Sequence, residues 1–309
     1  MTDTQPNELL AQIALEYLKE KKRKRRWGIF YKVVFLALIV FVIYIFRSGD
    51  ESQSLSVQPH AALIDIRGAL MDDNLTNADN TARSLHDAYQ DKGTKAVILR
   101  INSPGGSAVQ ADDIYREIMR YRKNYPDIKV YAVCTDICAS AAYYIASAAN
   151  EIYANPASLV GSIGVIYDGF GFVNTLEKLG VERRLITSGK YKGFLDPFSP
   201  EQPAEKAMLQ NMLDTVHQQF EDRVKEGRGV RLKITPDTFS GLFWTGKEAK
   251  ELGLIDDFGS AGYVAREIVK TENIIDYTVQ ENYFEELASK FGMNISSKLL
   301  MLSSPKIEL

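Results

Sequence analysis

The longest uninterrupted apolar feature of the chain lies near its start. Residues 27–46 (WGIFYKVVFLALIVFVIYIF) carry one charge, Lys32. A helix of that length, at about 1.5 Å per residue, spans roughly the 30 Å hydrocarbon core of a bilayer. The pattern predicts a single transmembrane helix over 27–46, with Lys32 snorkelling back to the basic run at 21–26 (KKRKRR), Trp27 and Tyr31 at one interface and Tyr44 at the other. Positive charge on the N-terminal side keeps that end cytoplasmic and makes the remaining chain extracytoplasmic. A cleaved signal peptide is the rival reading, but RSGDESQS after Phe46 offers no A-x-A-like cleavage site and the region before the apolar run is long.

Around this segment the pattern changes character. Residues 1–26 hold a short amphipathic stretch (Leu9, Leu10, Ile13, Leu15, Leu18) that ends in the basic run, and residues 47–59 read as a polar, Ser-rich linker. From about His60, short apolar runs alternate with helical periodicity. Strands are predicted at 61–70, 95–101, 129–134, 151–154, 159–167 and 181–187, and helices at 77–91, from Ala108, from Ala139 and at 173–179. A long helix is predicted from about Glu201 to Lys225, opened by the proline of SPEQP (199–203), with Leu209, Met212, Leu213, Val216, Phe220 and Val224 along one stripe. This βαβ alternation predicts one α/β domain over 60–282. Residues 283–309 read as an appended tail.

Composition adds little to the fold and more to the function. The chain has 309 residues, 45% hydrophobic and 25% charged, with a formal charge of −3. The basic residues that cluster stand directly before the apolar run, so no face is left for nucleic acid. Cys134 and Cys138 are too few for a disulfide framework and have no metal-site spacing around them. They read as two small buried hydrophobes, with a disulfide between them as the lesser alternative.

The candidate chemistry centres on CASAAYY at 138–144. Ser140 is either a nucleophile in a tight turn or a small residue in a close-packed helix, and its partners must lie elsewhere. In INSPGGSA (101–108) a strand runs into a Gly-Gly turn whose backbone N–H groups can face a ligand. Gly106 N–H is then an oxyanion donor, or the stretch is an ordinary strand-to-helix turn. In GSIGV (161–165), Ser162 either orients a neighbouring ammonium or marks close strand packing. In SGKYKGFLDPF (188–198), Lys190 and Lys192 are solvated loop lysines unless one acts as a base. The three histidines fall in the linker (His60), a polar helix (His86) and the long helix (His217), which disfavours a Ser-His-Asp triad. Without histidine, a lysine made neutral by desolvation can take the serine proton.

In order and spacing, NSPGGS, D-x-x-A-S-x-x-YY (136–144), GSIGV, G-x-YK-x-x-x-DPF (189–198) and FWTGKEAKELGLIDDFG (243–259) resemble the signal peptide peptidase A family of serine/lysine membrane proteases over about residues 60–270. The resemblance implies an α/β fold of the ClpP/crotonase type, built of ββα repeats and preceded here by the transmembrane helix. NSPGG alone is similar to that whole superfamily and speaks for fold rather than reaction. By the same resemblance Ser140 is the nucleophile, Lys192 the general base, and Gly106 and Ala141 the oxyanion donors. Ser162 orients the lysine, while Gly105, Ser107, Tyr143, Gly161, Ile163 and Gly164 line a groove for small or apolar side chains. The substrates implied are peptides, chiefly cleaved signal peptides, with no cofactor and no metal. A single-copy chain is expected to form a homo-oligomeric ring in which Ser140 of one protomer meets Lys192 of its neighbour. The alternatives are a catalytically silent membrane-anchored scaffold of the same fold, a membrane-protein quality-control protease, and, more remotely, acyl-CoA chemistry. One departure stands out: Ala141 and Ala142 replace the family's usual glycines, and their methyls are expected to narrow the cleft or shift its preference.

Overall fold

The computed structural model describes the backbone of residues 5–49 and 58–280 and the side chains of 19–41 and 58–280. Residues 50–57 of the linker expected at 47–59 and the tail at 283–309 lie outside the described residues, as do the side chains of the amphipathic stretch and of residues 42–46. The chain divides into two compact units, Met1–Ser56 and Val57–Leu309. The first is the helix α1 (Gln5–Gly49). Among the described residues no helix is long and apolar enough to cross a membrane, and the described side chains of the apolar run stop at Phe41.

The second unit begins where the apolar alternation begins. β1 (His60–Arg67), α2 (Ala78–Gln90), β2 (Thr94–Ser103), α3 (Ala108–Asn124) and β3 (Lys129–Ala139) follow one another, and the three strands pair in parallel. Both faces of this sheet are covered, so its strands are apolar at nearly every position. Ala62, Ile64 and Ile66 of β1 pack with Leu85 of α2 and Ile114 of α3, whereas Ala61 and Leu63 face the opposite layer with Tyr131 and Val264. Polar side chains start the helices: Asn77 accepts from the Asn80 N–H at 2.8 Å ahead of α2, and Ser107 accepts from Gln110 N–H at 3.4 Å ahead of α3.

β3 departs from the predicted pattern. The apolar run is read as ending at Cys134, but the strand continues to Ala139. Its first half pairs with β4 (Glu151–Ala154) and its second half with β5 (Leu159–Gly161). The change of partner occurs at a bulge: Ile101 pairs with Cys134 and Ser103 with Cys138, so Asn102 alone faces Thr135, Asp136 and Ile137. The Asn102 side chain fills this gap, donating to Asp136 Oδ2 at 2.8 Å and accepting from Ile137 N–H at 3.2 Å. The helix after the bulge, α4 (Ala141–Ser147), is wholly buried. Cys134 and Cys138 are both free and buried. Burial and the adjacent Cys134 push the Cys138 thiol up.

Further along, α5 (Val173–Lys178) and α6 (Pro203–Arg228) follow β5. β6 (Phe243–Thr245) pairs antiparallel with β5, while β7 (Asp257–Phe258) and β8 (Ile274–Asp276) join in parallel. The main sheet order is β6-β5-β3-β2-β1-β8, with β4 and β7 branching from β3. This is a mixed α/β fold with a parallel-dominated sheet. Two strand predictions fail. β5 stops at Gly161 rather than Tyr167, and residues 181–187 form no strand. Neither stretch finds a partner strand among the described residues, and an apolar alternation without one stays irregular. Likewise, of the stripe on α6 only Phe220 and Val224 are buried, and Met212 is exposed.

The C-terminal end of α6 is pinned behind the sheet by charge. Arg228, 1% exposed, donates to both Asp256 oxygens at 2.8 and 3.0 Å and to the Gly253 carbonyl at 2.8 Å. Asp256 also accepts from Arg231 at 3.0 Å and from the Ile152 N–H of β4 at 2.7 Å. Burial alone would raise this carboxyl, but the hydrogen bonds and charge of Arg228, the Ile152 N–H and Arg231 outweigh it and hold Asp256 below its ordinary value. A depressed carboxyl stabilises the fold above its unfolded-state value of about 3.9 and loses that contribution as pH falls through the folded one. Asp256→Asn is therefore expected to lower neutral-pH stability by on the order of 3 kcal/mol, because it strips Arg228 of its counter-charge. In urea melts from pH 7 to pH 3 the variant should lose less stability than the wild type on the acid side.

Candidate active site

Ser140 occupies the single residue between β3 and α4, with φ 53° and ψ −126°. This left-handed backbone is rare outside glycine, and it turns the chain sharply from strand into helix so that the serine side chain stands clear of both. The turn is fixed from both sides. Ser140 N–H donates to the Gly161 carbonyl of β5 at 2.8 Å, and the Ser140 carbonyl accepts from Tyr144 N–H at 3.0 Å. Ser140 itself is half-buried, and its hydroxyl has no hydrogen-bond partner among the described residues.

The NSPGGS turn lies directly against it. A Cβ on Gly105 would sit 2.7 Å from Ser140 Cβ, 3.0 Å from the Ala139 oxygen and 3.1 Å from the Ala141 nitrogen, and Gly105 has φ +110°. Only glycine fits there. The strand-like exchange with Leu70 uses the Gly105 carbonyl, at 2.8 Å, and the Ser107 N–H, at 2.7 Å. Gly106, between them, is exposed, and its N–H finds no acceptor among the described residues. Nor does that of Ala141, the first helical residue, whose N–H no carbonyl of its own helix can reach. Ala141 follows the serine directly, and Gly106 follows Gly105, which abuts it.

Ser162 stands next to the serine by register. Ala139 pairs with Gly161, so the following residues, Ser140 and Ser162, leave the ladder side by side. Ser162 also has a left-handed backbone, φ 49°, held by its N–H to the Leu242 carbonyl at 2.8 Å. Its hydroxyl too is without a partner among the described residues. Gly161 is buried against Trp244, while Gly164 is half-buried beside Gly241.

Not every residue assigned to the groove faces it. Tyr143 is fully buried and donates its hydroxyl to the Leu254 carbonyl at 2.7 Å, and burial pushes its phenol up. It braces α4 against the GLID stretch instead of lining a cleft. The Ile163 side chain is also fully buried. Ala141 and Ala142, 5% and 0% exposed, turn their methyls into the core, so they do not narrow the cleft. His217 departs from expectation in the other direction. It reaches the GSIG stretch, with Nε2 3.2 Å from the Ile163 carbonyl. A carbonyl only accepts, so Nε2 carries a proton toward it and is not free as a base.

Lys192 lies apart from the serines. It is exposed, in the loop after Gly189, and makes no hydrogen bond to Ser140 or Ser162 in the single chain. Lys190, its neighbour, lies over the Tyr191 ring at 4.9 Å. The residue that sequence reasoning missed is Asn102. It closes the bulge leading to the serine and stands inside the quoted NSPGGS motif, and its signal was a polar side chain at the end of a buried strand.

A serine on a strained strand-to-helix turn, with free backbone N–H groups near it on a parallel sheet, defines a peptidase on a ClpP-like scaffold. The sequence model of Clp protease matches residues 58–160, and that of peptidase family S49 matches residues 122–274. The chain belongs to peptidase family S49, the family of signal peptide peptidase A. A Synechocystis sp. protein named provisionally as a protease is 34% identical over 208 residues, 66% of this chain and 72% of its own length. Protease 4 of Haemophilus influenzae is 27% identical over 267 residues, 85% of this chain and 43% of that protein. A Brucella melitensis protein named Na(+)/H(+) antiporter NhaA is 43% identical over 209 residues, which is 66% of this chain but only 28% of that protein.

Gly105→Ala tests the packing of the turn. The added methyl is expected to displace Ser140 and cut peptidase turnover by roughly a hundredfold, as misplacement by about an ångström can. Wild-type turnover would show that the NSPGGS turn does not abut the serine as described.

Proposed function

We propose that this protein is a membrane-anchored serine endopeptidase that degrades cleaved signal peptides and other apolar peptides with a Ser140/Lys192 dyad. The observation that carries the reading is the strained Ser140 turn with the free N–H groups of Gly106 and Ala141 near it. A peptide lying along the exposed edge at Gly106 brings its carbonyl to the serine. Ser140 Oγ then bonds to the carbonyl carbon while its proton passes to a neutral Lys192 Nζ, and the two N–H groups receive the developing oxyanion. Lys192 returns the proton to the leaving amine as the C–N bond breaks. Water, deprotonated by the same lysine, hydrolyses the acyl-enzyme. Ser162, beside Ser140, aims the lysine.

Lys192 is exposed in the single chain, and a lysine serves as a base where it has cover from water. The reading that supplies the cover is a homo-oligomeric ring in which Lys192 of one protomer meets Ser140 of the next. It is supported by the apolar residues that the single chain leaves exposed around the Lys192 loop, among them Ile166, Phe170, Leu179 and Ile186, the last at 96%. Isolated exposed apolar residues are ordinary, but a concentration of them in one segment marks an interface. The anchor rests on the apolar run at 27–46 and the basic residues before it, which put the N-terminus in the cytoplasm and the peptidase domain on the periplasmic side of the inner membrane.

Ser140→Ala and Lys192→Ala are each expected to abolish cleavage of an unstructured apolar peptide. Mixed under conditions of subunit exchange, the two dead proteins should regain activity, because some interfaces then hold both residues. A mixture that stays inactive while mass measurements show exchange would rule out the shared site. Deleting 27–46 should release the protein from the membrane fraction, and retention there would rule out the anchor.

A further inference from the structure

The Lys192 loop is a chain of tight turns tied down at one end. Lys192 N–H donates to the Gly189 carbonyl at 3.2 Å, Phe194 N–H to Tyr191 at 3.1 Å, and Asp196 N–H to Gly193 at 3.1 Å. Such turns hold their shape only if their ends are fixed. The N-terminal end has a glycine with φ +109°, and the fixing falls to the other end. There the Asp196 carboxylate accepts from Ser199 Oγ at 2.7 Å, and from Arg183 Nε and Nη2 at 3.2 and 3.5 Å. The Ser199 hydroxyl first, and Arg183 after it, hold this carboxyl below its ordinary value. The Arg183 guanidinium also stands 5.8 Å from the centre of the Phe198 ring, which stacks on Phe172 at 5.4 Å, and Phe172 N–H donates to the Pro197 carbonyl at 2.7 Å. Leu195, between the turns and this knot, has a left-handed backbone with φ 54°, and its N–H donates to Glu205 of α6 at 3.2 Å.

An exposed Arg–Asp pair contributes little to global stability. This one joins two segments that share no strand pairing among the described residues, 181–187 and the Lys192 loop. We propose that Arg183 and Asp196 are a positioning pair for Lys192: together they lock the end of the turn chain and so set where the amine points. Neither touches the substrate. The inference rests on the reading of Lys192 as the general base and assigns Arg183, which lies outside the loop motif, a role in the same reaction.

The test uses the full-length protein and an unstructured apolar peptide. Arg183→Met and Asp196→Asn should each lower kcat by about tenfold or more, with KM within about twofold and Tm unchanged. Arg183→Lys, which keeps one charged donor, should retain most of the rate. Because the two residues act as one clamp, the double variant Arg183→Met/Asp196→Asn should be no slower than the slower single variant, whereas independent effects would multiply. Lys192→Ala is the reference. If it is inactive while the Arg183 and Asp196 variants turn over like the wild type, or while their losses multiply, the positioning pair is overturned and the base assignment stands. If Lys192→Ala remains active, the base assignment falls and the positioning pair falls with it.

Discussion

A serine held in left-handed backbone between a strand and a buried helix is the constraint on which this domain turns. Such a conformation costs on the order of 1–3 kcal/mol and lasts only where the surroundings leave no alternative. Here the surroundings come from four places in the chain. Gly105 has no Cβ because one would meet Ser140, and Gly161 accepts the Ser140 N–H. Tyr143 anchors the first turn of α4 to the Leu254 carbonyl, and Asn102 closes the bulge that lets β3 change partners just before the serine. The motifs at 101–108, 138–144, 161–165 and 243–259 are the parts of one local geometry.

The lysine half is built differently. The serine turn is braced by the buried helix α4, by Gly105 and by β5, while the Lys192 loop is held by surface hydrogen bonds, one ion pair and a pair of stacked rings. A nucleophile needs fixed direction, which a close-packed core provides. A lysine base needs, in addition, to lose its water, and the single chain leaves Lys192 exposed. This difference is the physical argument for a reading in which the base is completed by a second copy of the chain.

The back of the domain ties the two halves together. α6 is loosely covered near its start, beside the lysine loop, and tightly held at its end, where the nearly unexposed Arg228 meets Asp256. Asp256 in turn accepts from Ile152 of β4 and stands two residues beyond Leu254, whose carbonyl anchors Tyr143. The ion pair and the serine helix are thus linked by two residues of chain and one hydrogen bond.

The sequence by itself determined the elements whose pattern is complete within them: the parallel strands β1, β2 and β4 and the capped helices α2 and α3. It left Ser140 open between a tight turn and a close-packed helix, and only the family resemblance made it the nucleophile; the turn itself belongs to the tertiary structure. Tertiary structure decided whatever depended on a partner. β3 continues past Cys134 because β5 is there to pair with it, whereas residues 162–167 and 181–187 stay irregular because no strand among the described residues pairs with them. Tyr143 and Ile163 prove to be core, and His217 comes to lie on the GSIG stretch, because the direction of a side chain depends on which distant segment packs behind it. Periodicity is a local property of a chain; the aim of a hydroxyl among three segments spread over residues 101–165 is not.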